Sequence, residues 1–213
     1  MKVLLYNPNS NAALTRSLGR TLPAALRPGD SLATATAIVG SAFIGSDETI
    51  DRARADTERR LPPLVRNADA ILLGCFGDLG IGLTATALGK PLISFWDAGV
   101  DAIRRGEQRT GIVTTSPFWA ARLRRDLRAC GIDDALVAIS AILTPPAAPA
   151  EQVAADVRDA VAGFRRRDVA DRVMLGGALL LALAPTLGPV ALPVVDLPVW
   201  AIDMCRNALR PVE

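Results

Sequence analysis

"ADAILLGCF" (Ala68–Phe76) and "ADRVMLGGA" (Ala170–Ala178) lie over one another without a gap when the chain is shifted by 102 residues. In the same register "PLIS" (Pro91–Ser94) falls on "PVVD" (Pro193–Asp196). A looser match sets "YNPNSNAALTRSL" (Tyr6–Leu18) on "TSPFWAARLRRDL" (Thr115–Leu127), with Pro8 over Pro117. Two half-chains of one plan predict an α/β protein of two pseudo-symmetric parallel-sheet lobes, related by a pseudo-two-fold axis. The natural active-site cleft of such a fold lies between the lobes, at the carboxyl ends of the strands. The expected boundaries are 1–97 plus 207–213 for the N-terminal α/β lobe and 98–206 for the C-terminal one. In that arrangement Cys75 faces Gly177.

The rest of the chain alternates in the same way. Strand-type runs are expected at Val3–Tyr6, Ser31–Ala37, Ala70–Leu73, Pro91–Ser94, Thr110–Thr114, Ala135–Ile139, Arg172–Leu175 and Pro193–Val195. Helical spacing is expected at Asn11–Leu26, Asp47–Val65, Trp96–Arg105, Pro117–Cys130, Ala150–Phe164 and Leu197–Leu209. Ser116 before Pro117 is an N-cap followed by proline at the first helical position. Continuous apolar strands between helices indicate parallel sheets covered on both faces. "TPPAAPA" (Thr144–Ala150) reads as a loop. The stretch from Val173 to Val195 carries no charge and is long enough to span a bilayer. It holds Gly176, Gly177, Pro185, Gly188, Pro189 and Pro193, however, and reads as strand, helix, turn and strand of a buried core, with no membrane partner.

Composition narrows the function classes. The 213 residues carry 24 Lys and Arg against 22 Asp and Glu, and no histidine. A net charge of +2 is too small to imply nucleic acid. Arg124-Arg125 and Arg165-Arg166-Arg167 lack interleaved aromatics and read as solvated helix faces. Cys75, Cys130 and Cys205 are far apart, with no metal-ligand spacing, so neither a metal nor a disulfide framework is expected. An odd cysteine count fits a reducing compartment, and the cytoplasm is the default. "MKVLLYNPNS" begins a strand and has too short an apolar core for a signal peptide.

Cys75 is the chemical anomaly, a thiol on the lip of a buried strand in a chain without histidine to activate it. Here the chain resembles the Asp/Glu racemase superfamily, on the branch of hydantoin and allantoin racemases. The matching stretches are "NPNSN" (Asn7–Asn11), "CFGD" (Cys75–Asp78), "PLISFWDAG" (Pro91–Gly99), "GIVTT" (Gly111–Thr115) and "LGG" (Leu175–Gly177), in order along essentially the whole chain. The resemblance implies two parallel α/β lobes with the active site between them, and no cofactor. It implies proton transfer by cysteine at a carbon next to a carbonyl, in a small-molecule carboxylate, amino acid or hydantoin. Cys75 is the implied catalytic residue. Asn9, Ser10, Phe76, Thr114, Thr115 and Gly177 are the implied substrate-binding residues. Relatives of this kind often assemble as homo-oligomers, and the sequence is compatible with that.

Racemases of this type place a thiol on each face of the substrate, one removing the proton and the other returning it. Gly177 stands where the second thiol would be. Gly45 and Ser140 replace a glutamate and an arginine of the family pattern. Cys130 and Cys205 fall on predicted helices and read as packing residues. A helix expected directly after Cys75 would lower its pKa and aim backbone N–H groups at an enolate. Asp78 reads as a turn residue. With a single thiol the expected enzyme is a slow or one-sided isomerase, with water or a carboxylate as the opposite base, and three alternatives stand beside it. One is a decarboxylase that protonates the enolate left by a malonate, resembling the arylmalonate decarboxylases with the thiol at the opposite position. Another is a double-bond isomerase acting by thiol addition. The third is a small-acid-binding homologue without turnover.

Overall fold

The structure, a computed structural model, describes residues 1–143, 145 and 148–210. Thr144, Pro146 and Ala147 of the expected loop, and 211–213 of the expected N-terminal lobe, lie outside the described residues. The chain divides into two compact units. Met1–Ala98 and the chain from Pro198 form one, and Gly99–Leu197 form the other. The return to the first unit therefore comes at Pro198, earlier than the residue 207 expected from sequence.

The first unit begins with strand β1 (Lys2–Asn7), helix α1 (Ala12–Thr21), strand β2 (Ser31–Thr36) and helix α2 (Asp47–Leu64). Strand β3 (Ala70–Leu73), the single turn α3 (Ala85–Leu88) and strand β4 (Leu92–Ser94) follow, and helix α4 (Phe95–Arg105) leads out of the unit. The four strands are parallel in the order β2-β1-β3-β4. All four residues of β3, and Val3 to Tyr6 of β1, are buried, as the unbroken apolar runs predict for central strands. Helix α1 stops at Thr21 rather than Leu26. Pro23 has no N–H for the ladder, and Leu22–Ala25 tightens into a 3-10 turn. Helix α2 starts at a reciprocal box in which Ser46 accepts from the Thr49 N–H and Thr49 accepts from the Ser46 N–H.

The C-terminal helix α8 (Leu197–Asn207) is tied to the start of the chain through Asp30. This carboxylate accepts from the Arg27 N–H at 3.1 Å, the N-terminal ammonium at 3.0 Å and the Arg206 guanidinium at 2.8 Å. Those donors, the Arg27 N–H foremost, hold Asp30 far below the usual carboxylate range. Asp30→Asn is expected to cost about 2–3 kcal/mol in urea unfolding at neutral pH, the scale of a part-buried charged hydrogen-bond set. The folded pKa lies below the unfolded value of 3.8, so the stabilisation is complete above that value and fades as pH falls beneath it. The wild-type advantage over Asp30→Asn is therefore expected to shrink on acidification.

The second unit contains strand β5 (Thr110–Thr114), helix α5 (Pro117–Ala129), strand β6 (Val137–Ala141), helix α6 (Ala150–Arg166), strand β7 (Arg172–Gly176) and helix α7 (Ala178–Leu183). Its parallel sheet runs β6-β5-β7. A bridge from Val173 to Val194 continues it on the far side of β7. The strand expected at Pro193–Val195 is reduced to that bridge, because the chain turns into α8 at Leu197, whose N–H bonds Val195. Gly111 in β5 lets Phe164 of α6 lie on the sheet; a Cβ there would stand 2.6 Å from the ring.

The half-chain repeat is visible in the pairing itself. Ile71 pairs with Leu92 in the first unit and Val173 with Val194 in the second, both shifted by 102 residues. Val3 pairs with Ala70 and Thr110 with Arg172, so the shift between β1 and β5 is 107. Asn7 therefore corresponds to Thr114, and the alignment of Pro8 with Pro117 is corrected. The connection into the following helix is shorter in the second unit, where Ser116 caps α5 directly.

Candidate active site

Cys75 stands two residues beyond β3. The Gly74 N–H donates to the Tyr6 carbonyl at 2.8 Å, extending the β1–β3 pairing by one residue. A Cβ on Gly74 would lie 3.3 Å from Leu5 Cδ1, 3.4 Å from Tyr6 O and 3.7 Å from Asn7 Cα, so glycine permits this close approach. Cys75 emerges beyond it at the carboxyl lip of the sheet, 7% exposed.

The helix expected directly after Cys75 is not there. Residues 74–84 are irregular, and only the single turn α3 follows. Asp78 is the turn residue foreseen, accepting from the Gly80 N–H at 2.7 Å, with Gly80 in the left-handed region at φ +65°. Glu58 of α2 accepts from the Gly82 N–H at 2.7 Å and holds the segment down. A different helix start reaches Cys75: the Trp96 N–H of α4 donates to the Cys75 carbonyl at 3.2 Å. That start is bounded by Ser94, whose hydroxyl accepts from the Asp97 N–H at 3.0 Å, and by Asp97, which accepts from the Ser94 N–H at 2.8 Å. Phe76 packs edge-on against Trp96 with ring centroids 6.1 Å apart. A cavity of about 230 Å³ beside this loop is lined by residues that include Leu73, Asp78, Leu79, Leu92, Trp96 and Asp97. Its two acidic residues make it a poor seat for an anion.

The NPNSN turn joins β1 to α1. Asn11 caps α1, accepting from the Leu14 N–H at 3.0 Å. Asn7 is fully buried and donates to Asn9 Oδ1 and Thr15 Oγ1, each at 2.9 Å. Asn9 Oδ1 also accepts from the Asn11 N–H at 3.0 Å, so the amide of Asn9 keeps its oxygen inward. Its NH2 group has no partner among the described residues. Ser10 differs from the expectation. Its N–H donates to Ser41 O and its hydroxyl to Gly40 O, each at 3.1 Å, so both donors hold the 40–41 backbone rather than standing ready for substrate. The first turn of α1 adds backbone N–H groups without intrahelical acceptors.

In the second unit the two threonines part company. Thr114 is fully buried and its hydroxyl donates to Gly176 O at 2.7 Å, so it cannot also donate to a substrate anion. Thr115 keeps its hydroxyl without a partner among the described residues. A Cβ on Gly177 would lie 3.2 Å from Thr115 Cγ2 and 4.0 Å from Thr115 Oγ1. Gly177 is the N-cap of α7, in extended backbone at φ 171° and ψ 140°. By strand register it occupies in its unit the place Cys75 occupies in the other.

None of the three cysteines is in a disulfide. Cys205 is fully buried in α8, and burial pushes its thiol up to about 12. Cys130 ends α5. Iodoacetamide at neutral pH is therefore expected to leave Cys205 unmodified in the folded protein and to label Cys75 more slowly when malonate is present. Mass mapping of the adducts checks both. The sequence reading missed Asn7 and Thr15. The available signal was an amide at the end of an otherwise apolar strand.

A model of the Asp/Glu/hydantoin racemase family matches residues 3–205. A hydantoin racemase of Paenarthrobacter aurescens is 26% identical, the alignment covering 98% of this chain and 89% of that protein. Allantoin racemase from Klebsiella pneumoniae has a TM-score of 0.83 at 21% identity, covering 98% of this chain and 87% of its own. Unliganded arylmalonate decarboxylase has a TM-score of 0.61 at 15% identity, covering 100% of this chain and 94% of its own. The likeness bears out the fold class expected from the half-chain repeat. Among the described residues no helix is long and apolar enough to cross a membrane.

Proposed function

Since this chain belongs to the Asp/Glu/hydantoin racemase family, we propose that it moves a proton at a carbon next to a carbonyl of an amino acid or hydantoin, with Cys75 as the proton-transfer residue. The observation that carries this reading is local to the first unit. Gly74 brings the lip of β3 against Asn7 at the end of β1, so Cys75 and Asn9 each follow by two residues one of two adjacent parallel strands. The Cys75 thiolate removes the proton, and charge developing on the carbonyl oxygen is stabilised by donors. The first turn of α1 supplies the proposed donors there, and Asn9 is the proposed contact to the substrate's carboxylate, made in the bound ground state as well as in the transition state. The family stretches GIVTT and LGG support Thr115 and Gly177 as further substrate-binding residues. Ser10, Thr114 and Phe76 complete the proposed substrate-binding set as residues that shape the site, the two hydroxyls bonded to backbone and Phe76 packed on Trp96. With Gly177 in place of a thiol, the proton returns to the face it left, so exchange outruns inversion. Three thiols outside disulfides support a reducing, cytoplasmic setting, and a homo-oligomer belongs to the same proposal.

Gly177 also favours a second reading. Loss of CO₂ from a substituted malonate yields the enolate directly, and a single thiol then suffices to deliver the proton. The test is incubation in heavy water with amino acids, hydantoins and substituted malonates, following α-deuterium by NMR, product handedness and CO₂ release. Deuterium entering with little inversion supports the first reading, and CO₂ release with a single-handed product supports the second. Neither deuterium nor CO₂ from any member of the panel would overturn both.

A further inference from the structure

We infer that Asn7 is a positioning residue, acting through Asn9 to decide whether the site meets its ligand with a donor or an acceptor. The inference rests on the proposed role of Asn9. An asparagine amide is nearly symmetric in shape, and only its hydrogen-bond partners decide which end is oxygen. Asn9 Oδ1 receives two donors, Asn7 Nδ2 at 2.9 Å and the Asn11 N–H at 3.0 Å. Its NH2 is thereby turned away from them. Asn7 is itself locked. Its Nδ2 also donates to Thr15 Oγ1 at 2.9 Å, and its Oδ1 accepts from the Asn9 N–H at 3.2 Å. Thr15 accepts in turn from the Thr36 hydroxyl of β2 at 2.8 Å. The chain from β2 through α1 to the NPNSN turn is buried or half-buried, where an unpaired polar atom is costly and alternative orientations are disfavoured. Asn7 lies behind Asn9, fully buried, and has no surface to offer a ligand.

The decisive variant is Asn7→Asp, which keeps the shape and replaces the Nδ2 donor by an acceptor. Two oxygens then face each other, and the Asn9 amide is expected to rotate, giving its NH2 to the new carboxylate and its oxygen to the ligand. In ¹⁵N-labelled protein this appears as a new NOE between the Asn9 side-chain NH2 and the Asn11 backbone N–H. The shift of the Asn9 amide resonances on titration with malonate is expected to weaken. For the panel substrate that exchanges fastest, KM is expected to rise about 10-fold or more with kcat little changed, the scale of a lost hydrogen bond to a charged group. In an Asn9→Ala background the same change is expected to add nothing to KM, which a purely structural role would not produce. Thr15→Val offers a milder route if Asn7→Asp does not fold: it removes one anchor of the Asn7 amide and is expected to raise KM a few-fold, again only while Asn9 is present. An unchanged Asn9 NOE pattern in folded Asn7→Asp, or an equal KM penalty with and without Asn9, overturns the inference even if exchange activity is intact. Absence of exchange by the wild type would sink the proposed function while leaving the amide-orientation test standing.

Discussion

Cys75→Ala is expected to lower the rate of α-deuteration by at least 10²–10⁴-fold, the range for loss of a positioned acid or base. The chain contains no histidine that could take over. Cys205 is fully buried with its thiol pushed up to about 12, so it cannot supply thiolate at neutral pH. The substitution removes one sulfur from a buried side chain, 7% exposed, while the Gly74–Tyr6 bond that shapes the lip belongs to backbone. Stability is therefore expected to fall by about 1 kcal/mol, the scale of one small buried group, while exchange collapses. Cys75→Ser should behave like the alanine variant, because an unassisted alcohol does not ionise near neutral pH. Exchange rates by NMR against unfolding midpoints separate the two quantities. Retention of wild-type exchange in Cys75→Ala would remove this thiol from the chemistry.

Gly177→Cys is expected to convert exchange without inversion into racemisation, raising the ratio of inversion to deuteration from near zero to on the order of one. Two observations make the variant feasible. The backbone at 177 is extended, at φ 171° and ψ 140°, a conformation open to any residue. The nearest obstacle to a Cβ is the Thr115 methyl group at 3.2 Å, which must give by a few tenths of an ångström. The stability cost should stay near or below about 1 kcal/mol, at the lower end for overpacking. The chemical gain follows from register, since 177 and 75 hold equivalent places in their units. Chiral chromatography of a deuterated substrate gives the ratio. Continued retention in a folded, thiol-bearing variant would mean that the two positions do not serve one reaction.

Much of the fold was legible because parallel strands buried on both faces must be apolar throughout, and helices must repeat near 3.6 residues. Ala70–Leu73 and Thr110–Thr114 were found with their observed bounds for that reason. Failures came where hydrogen-bonding capacity overrode pattern. Pro23 broke α1 early, and the turn into α8 left a single bridge at Val194. The largest misreading was the helix after Cys75. The stretch between the strand and α3 holds Gly77, Gly80 and Gly82, and its backbone is held by Asp78 and Glu58 instead of by an intrahelical ladder.

The residue order by itself determined that the halves share one plan, because a shift of 102 residues in apolar runs dictates the same shift in strand pairing. It also singled out Cys75 and the glycine at its counterpart, since residue identity at a matched position needs no coordinates. Only the tertiary structure decided which polar groups remain available. Ser10 and Thr114 carry the same kind of hydroxyl as Thr115, yet their donors end on the carbonyls of Gly40 and Gly176. A hydroxyl has one proton to give, and the acceptor that claims it is brought near by the fold, from residues distant in sequence.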